Sequence, residues 1–109
     1  MNRKILIIDD DKEYVYLVSR ILTGKNYSVF TAKTLEIGME ILHEKRPEVV
    51  FLDNQLPDGL GWAKAEYILA NFPNIQLNLI SALDVPKTST SSFRIIEKLQ
   101  LLEELKDNF

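Results

Sequence analysis

At four places along the chain an apolar or mixed run ends in, or leads directly to, a polar residue able to do chemistry. Lys4 to Ile8 runs into Asp9, Asp10 and Asp11, residues 49–52 into Asp53, residues 75–80 into Ser81, and residues 93–96 lead to Lys98. Carboxylates held a few ångströms apart raise one another's pKa unless a cation is shared between them. A hard divalent ion meets that need, and an all-oxygen site that shares its ligands with a phosphoryl group suits Mg²⁺. The ammonium of Lys98 and the hydroxyl of Ser81 would then serve the oxygens of a transferred phosphoryl group. Such chemistry requires the four run ends to converge.

The pattern between these residues supplies elements that can bring them together. Lys4 to Ile8 and residues 49–52 are continuous apolar runs, the signature of strands buried on both faces. Tyr14, Leu17, Val18, Ile21 and Leu22 have helical spacing, with Asp11 placed as N-cap and an end expected near Gly24 to Asn26. Residues 27–32 are rich in strand formers, and Thr34 can cap a second helix bearing Leu35, Met39 and Leu42, closed by Pro47. Leu56, Pro57, Asp58 and Gly59 form a turn, and Trp62, Ala65, Ile68, Leu69 and Phe72 mark a third helix. Residues 75–80 and 93–96 read as the fourth and fifth strands, and Leu101, Leu102 and Leu105 as a short last helix. Alternating strands and helices predict an α/β fold, a doubly wound parallel sheet with helices on both faces. In such sheets the functional crevice lies beyond the carboxyl ends of the strands, where Asp9, Asp10, Asp53, Ser81 and Lys98 would meet.

Composition narrows the function. A chain of 109 residues with 46% apolar content is expected to form one domain over residues 1–109. The absence of cysteine and the single histidine, His43, exclude a disulfide framework and a multi-histidine zinc site. A net charge of -3 argues against direct nucleic-acid binding. No run approaches the roughly 20 apolar residues of a membrane span, and the apolar start is too short for a signal sequence. The expected setting is a reducing cytoplasm, with no membrane partner. His43, among Glu44, Lys45 and Arg46, reads as solvated, and Trp62 as packing at a helix start.

The motifs Ile-Leu-Ile-Ile-Asp9-Asp10-Asp11, Val-Val-Phe-Leu-Asp53-Asn-Gln-Leu-Pro-Asp-Gly, Leu-Ile-Ser81-Ala82 and Ile-Ile-Glu-Lys98 resemble those of response-regulator receiver domains, over nearly the whole chain. The resemblance implies a flavodoxin-like, five-stranded fold and a phosphorylation switch, not an enzyme beyond self-phosphotransfer and autodephosphorylation. It implies that Asp53 accepts phosphate from a sensor histidine kinase or a phosphotransfer protein. It further implies that Asp10, Asp53 and the main-chain carbonyl of Gln55 ligate Mg²⁺, with Asp9 acting through water or beside them, and that Ser81 and Lys98 bind the phosphoryl oxygens. The competing reading is a receiver-fold interaction module that signals without phosphorylation. An aspartate-nucleophile phosphatase, suggested by the Asp9-x-Asp11 spacing, would need more chain, and a dinucleotide binder would need glycines after the first strand.

The chain departs from the family pattern in places. Asn26 stands where Gly is frequent, a position Asn can fill in the left-handed region. Leu99 follows Lys98 where Pro is usual, and Gln55 lies two residues past Asp53, where a side chain could influence phosphate lifetime. Ile95 occupies the place of the usual switch aromatic, with Phe93 two residues earlier on the same strand face. The stretch from Ser81 to Lys98 is shorter than is usual, so the fourth helix is expected to be short or absent across residues 82–92, where Pro86 and the run Thr88, Ser89, Thr90, Ser91, Ser92 disfavour one. Gln76 and Asn78 interrupt the apolar pattern of the fourth strand. They suggest a face adapted to solvent, to a partner or to a homodimer formed through the remodelled region.

Overall fold

The structure, a computed structural model, describes residues 3–82 and 93–108. Five parallel strands form one sheet in the order β2-β1-β3-β6-β7: β1 (Lys4–Ile8), β2 (Ser28–Ala32), β3 (Val49–Asp53), β6 (Gln76–Ser81) and β7 (Phe93–Glu97). A separate antiparallel hairpin, β4 (Gln55–Leu56) and β5 (Gly59–Leu60), follows β3. The chain thus has the doubly wound, flavodoxin-like architecture. The helix expected to be short or absent across residues 82–92 falls, but for residue 82, outside the described residues.

Each face of the sheet is sealed by helices whose apolar stripe the sequence encodes. α1 (Lys12–Gly24) buries Tyr14, Val18 and Leu22, and joins α4 (Lys98–Asn108), through Leu101 and Leu105, over Ile5, Ile7, Val49, Phe51, Ile80 and Ile96. α2 (Leu35–Lys45) and α3 (Ala65–Asn71) cover the other face, packing Leu35, Leu42, Ala65 and Ile68 on Leu6, Ile8, Val50, Leu52, Leu77 and Leu79. Because both faces are covered, Ile5 to Ile8 and Val49 to Leu52 are all within 1% of full burial, which is why these runs do not alternate. Gly38 lets α2 approach β1: a Cβ there would lie 2.6 Å from Cδ1 of Ile8, the residue that precedes Asp9.

Local signals work as expected at several ends. Asp11 accepts a hydrogen bond from the Tyr14 amide at 3.2 Å, and Thr34 accepts one from Ile37 at 3.1 Å, so both helices start on their caps. Asn26 adopts φ 68°, as its place before β2 requires.

Other expectations need correction. The third helix does not begin as an α-helix at Trp62; a 3₁₀ turn over Gly61–Lys64 precedes it, and Phe72 is its C-cap. Lys98 is not a strand end but the first residue of α4, because β7 runs on through Glu97. At Asn78 the polar face of β6 is buried and not open to solvent. Asn78 is 1% exposed and sits in register with Arg94, on the side of Ile80 that α1 and α4 cover. Its amide donates to the carbonyls of Val50 and Gln76, both at 3.4 Å, and its oxygen accepts from Arg94 Nε at 3.3 Å. Arg94 in turn meets Glu104 of α4 at 2.9 Å, so the polar pattern on β6 answers an internal bridge to the last helix. Only Gln76, at the strand start, is exposed.

Candidate functional site

Register decides where the polar run ends fall. Ile8 is paired with Leu52, so Asp9 and Asp53 emerge side by side; Asp53 is paired with Ile80, and Ser81 with Glu97, which places Lys98 next in line. β1 and β3 are also the strands between which the winding of the sheet reverses, the crevice where ligands of such folds bind. Ligand oxygens of Asp9, Asp10 and Asp53 lie within 4.8 Å of one another. Asp9 and Asp53 are buried and Asp10 is exposed, so the cluster opens to solvent on the Asp10 side.

Lys98 bridges the two buried acids. Its Nζ is 2.7 Å from Asp9 Oδ2 and 3.6 Å from Asp53 Oδ2, with only 11% of its side chain exposed. Burial, the largest single influence, pulls the lysine down, but the hydrogen bond and charge of Asp9, together with Asp53, outweigh it and raise its pKa. It therefore stays an ammonium. Asp53 is pushed up to about 6, first by burial and then by the charge of Asp9, against the pull of Lys98 and of the Asn54 amide. One cation does not neutralise three acids. Three carboxylates whose oxygens lie within 4.8 Å of one another, with a single ammonium beside them, make a place that fits a further cation, and the donor set is all oxygen.

The supporting groups hold the Asp53 end of β3 in place. Asp9 Oδ1 accepts from the amide of Asp11 at 2.9 Å, fixing the turn into α1. The Gly61 amide donates to the carbonyl of Asn54 at 2.8 Å, the Trp62 amide to Asn54 Oδ1 at 3.1 Å, and Trp62 Nε1 to the Leu52 carbonyl at 3.2 Å. Trp62 is thus a brace on β3, in keeping with its reading as packing. A Cβ built on Gly61 would run into the main-chain carbonyl oxygen of Asp53, so only glycine fits there. Asp58, at the tip of the β4–β5 hairpin, accepts from the amides of Leu35 at 2.8 Å and Glu36 at 3.0 Å, and these two bonds hold its carboxyl below its ordinary pKa. Gln55 is exposed in β4, two residues beyond Asp53, and Ser81 ends β6 half-buried. His43 is exposed as expected, although its Nε2 lies 3.0 Å from the Tyr67 hydroxyl and its ring meets Phe72 edge-on.

The site includes groups that sequence reading did not single out. Gly61 lies two residues beyond the turn expected over Leu56 to Gly59 and is not part of it. Tyr14 read as one member of the α1 stripe, yet its hydroxyl donates to the Lys98 carbonyl at 2.9 Å. Burial, then the charges of Asp9 and Asp53, raise its pKa, so the phenol remains protonated.

A buried Asp at the switch point, bridged to a second acid by a lysine, agrees with the family model that matches residues 5–95, the response regulator receiver domain. The chain belongs to this family of two-component signalling domains. Sporulation initiation phosphotransferase F of Bacillus subtilis (strain 168) is 30% identical over 84 residues, which cover 75% of the chain and 66% of that protein. The crystal structure of a CheY-like receiver domain protein from Methanospirillum hungatei JF-1 superposes with a TM-score of 0.78 at 22% identity, covering 98% of the chain and 93% of that one. The beryllofluoride-activated NtrC4 receiver domain dimer does so at 0.79 and 26% identity, covering 94% and 93%. The chain spans 26% and 51% of the length of two further regulators that it matches, PhoP of B. subtilis and RegA of Rhodobacter capsulatus. Among the described residues no helix is long and apolar enough to cross a membrane.

Proposed function

We propose that this receiver domain, spanning residues 1–109, takes a phosphoryl group onto Asp53 from a phosphohistidine on a sensor kinase or phosphotransfer protein in the cytoplasm. The observation that carries this reading is the buried Asp53 carboxylate, 3.6 Å from the Lys98 ammonium and clustered with Asp9 and Asp10. A carboxylate oxygen of Asp53 forms the new O–P bond as the donor's P–N bond breaks, and the departing imidazole nitrogen takes up a proton. Asp9, Asp10, Asp53 and the main-chain carbonyl of Gln55 are the groups that would hold Mg²⁺, which when bound supplies positive charge to the transferred oxygens. Lys98 already pairs with the acceptor carboxylate and follows that charge onto the phosphoryl oxygens, while Ser81 offers a hydroxyl donor. Activity is confined to this self-phosphotransfer and to hydrolysis of the aspartyl phosphate.

Intact-mass measurement after incubation with a small phosphodonor tests the reading directly. One phosphate is expected per chain with Mg²⁺ and none with a chelator, and Asp53→Asn abolishes the gain. A gain that persists in the Asn variant would overturn the assignment, and no gain in the wild type would favour an interaction module that acts without phosphorylation.

A further inference from the structure

Tyr14 lies in the first turn of α1, 8% exposed, on the same stripe as Val18 and Leu22. Those two are purely apolar, whereas Tyr14 carries a hydroxyl that is used. It donates to the main-chain carbonyl of Lys98 at 2.9 Å, across 84 residues of sequence. The same tyrosine ring also faces the other end of that lysine, with Nζ 5.0 Å from the ring centroid, inside the cation–π range. One side chain therefore meets both the backbone and the ammonium of Lys98.

The junction has reason to need such a grip. Lys98 is the first residue of α4, directly after the edge strand β7, and its neighbour Leu99 is 69% exposed and offers little packing there. A lysine reaches its partners through a flexible stem, and fixing it costs rotamer freedom unless its surroundings already restrict it. We propose that Tyr14 is a positioning residue that holds Lys98 toward Asp53, with the phenol hydroxyl anchoring the carbonyl and the ring face steering the ammonium. The inference rests on the acceptor function proposed above. It extends that function to a residue on α1 that touches neither phosphate nor metal.

Tyr14→Phe keeps the ring and deletes the anchor; Tyr14→Leu deletes both. Two measurements separate positioning from plain packing. The first needs no ligand: the Lys98 carbonyl ¹³C resonance should move upfield in Tyr14→Phe, and the ring-current shift of the Lys98 side chain should persist in Phe and vanish in Leu. The second is binding of beryllofluoride in the presence of Mg²⁺. Tyr14→Phe should weaken it roughly three- to tenfold, the range for one hydrogen bond, and have no effect in a Lys98→Ala background. An unchanged Lys98 carbonyl shift, or the same weakening with and without Lys98, would overturn the proposal. If the wild type fails to bind beryllofluoride, the acceptor function fails, while the carbonyl and ring-current shifts still decide whether Tyr14 holds Lys98. Tyr14→Phe alone suffices should the Leu variant not fold.

Discussion

At the scale of single residues, the site is an electrostatic compromise around Asp53. Burial and Asp9 disfavour its charge, and Lys98 restores only part of the loss, leaving its pKa near 6 against the ordinary 3.8. Between those values the folded chain keeps a proton that the unfolded chain has released. The stability linked to Asp53 is therefore fully present below about pH 4 and is lost as pH rises through 6, by about 3 kcal/mol in the absence of a divalent ion. Asp53→Asn removes this dependence. Urea unfolding with a chelator should show the Asn variant more stable than wild type at pH 8, with the gap closing toward pH 4. A gap of the same size at both pH values would show that Asp53 titrates normally.

At the scale of elements, the segment from Asp53 to Gly61 is tied down at its base, where Gly61 meets Asp53, and at its tip, Asp58. Gly61 abuts the Asp53 carbonyl, so Gly61→Ala must push the end of β3 or the 3₁₀ turn aside. An overpacking loss of about 1–3 kcal/mol is expected in urea unfolding, with displaced amide resonances at Asn54 and Trp62. At the other tie, Asp58 caps the N-terminus of α2 from outside the helix, complementing its dipole and two amides that lack helical partners. Asp58→Ala should speed hydrogen exchange at Leu35 and Glu36 while leaving the α1 amides unchanged. Because its pKa is lowered by those bonds, the cap is present above the ordinary carboxylate range and lost as pH falls through the folded value.

For the whole molecule, the acidic cluster means that a bound cation should report on global stability, since the unfolded chain has no preformed site. Mg²⁺ at about ten times its dissociation constant should add roughly 1.4 kcal/mol and raise the melting temperature. Asp10→Ala should remove most of this gain while leaving the chelated protein near wild-type stability, because Asp10 is the exposed member of the cluster. Thermal unfolding with and without Mg²⁺ checks both. An equal gain in wild type and Asp10→Ala would mean that the ion acts elsewhere.

The sequence by itself determined the five strands of the parallel sheet, the helix caps at Asp11 and Thr34 and the acids at the strand ends, because each is encoded within a few neighbouring residues. An apolar run that stops at Asp9 or Asp53 reports burial on both faces and then exposure at the crevice, and Asp11 and Thr34 cap helices that start beside them. The α/β alternation then constrained the winding, and with it the meeting of Asp9, Asp53 and Lys98. Tertiary structure alone decided which face of β6 carries Asn78, since a period of two says which residues share a face but not which helix covers it. It also decided that Arg94 and Glu104 answer that asparagine, that Asp58 caps a helix 23 residues upstream, and that Tyr14 meets Lys98. Those contacts join residues far apart in sequence, and their partners are selected by packing geometry that no local pattern contains.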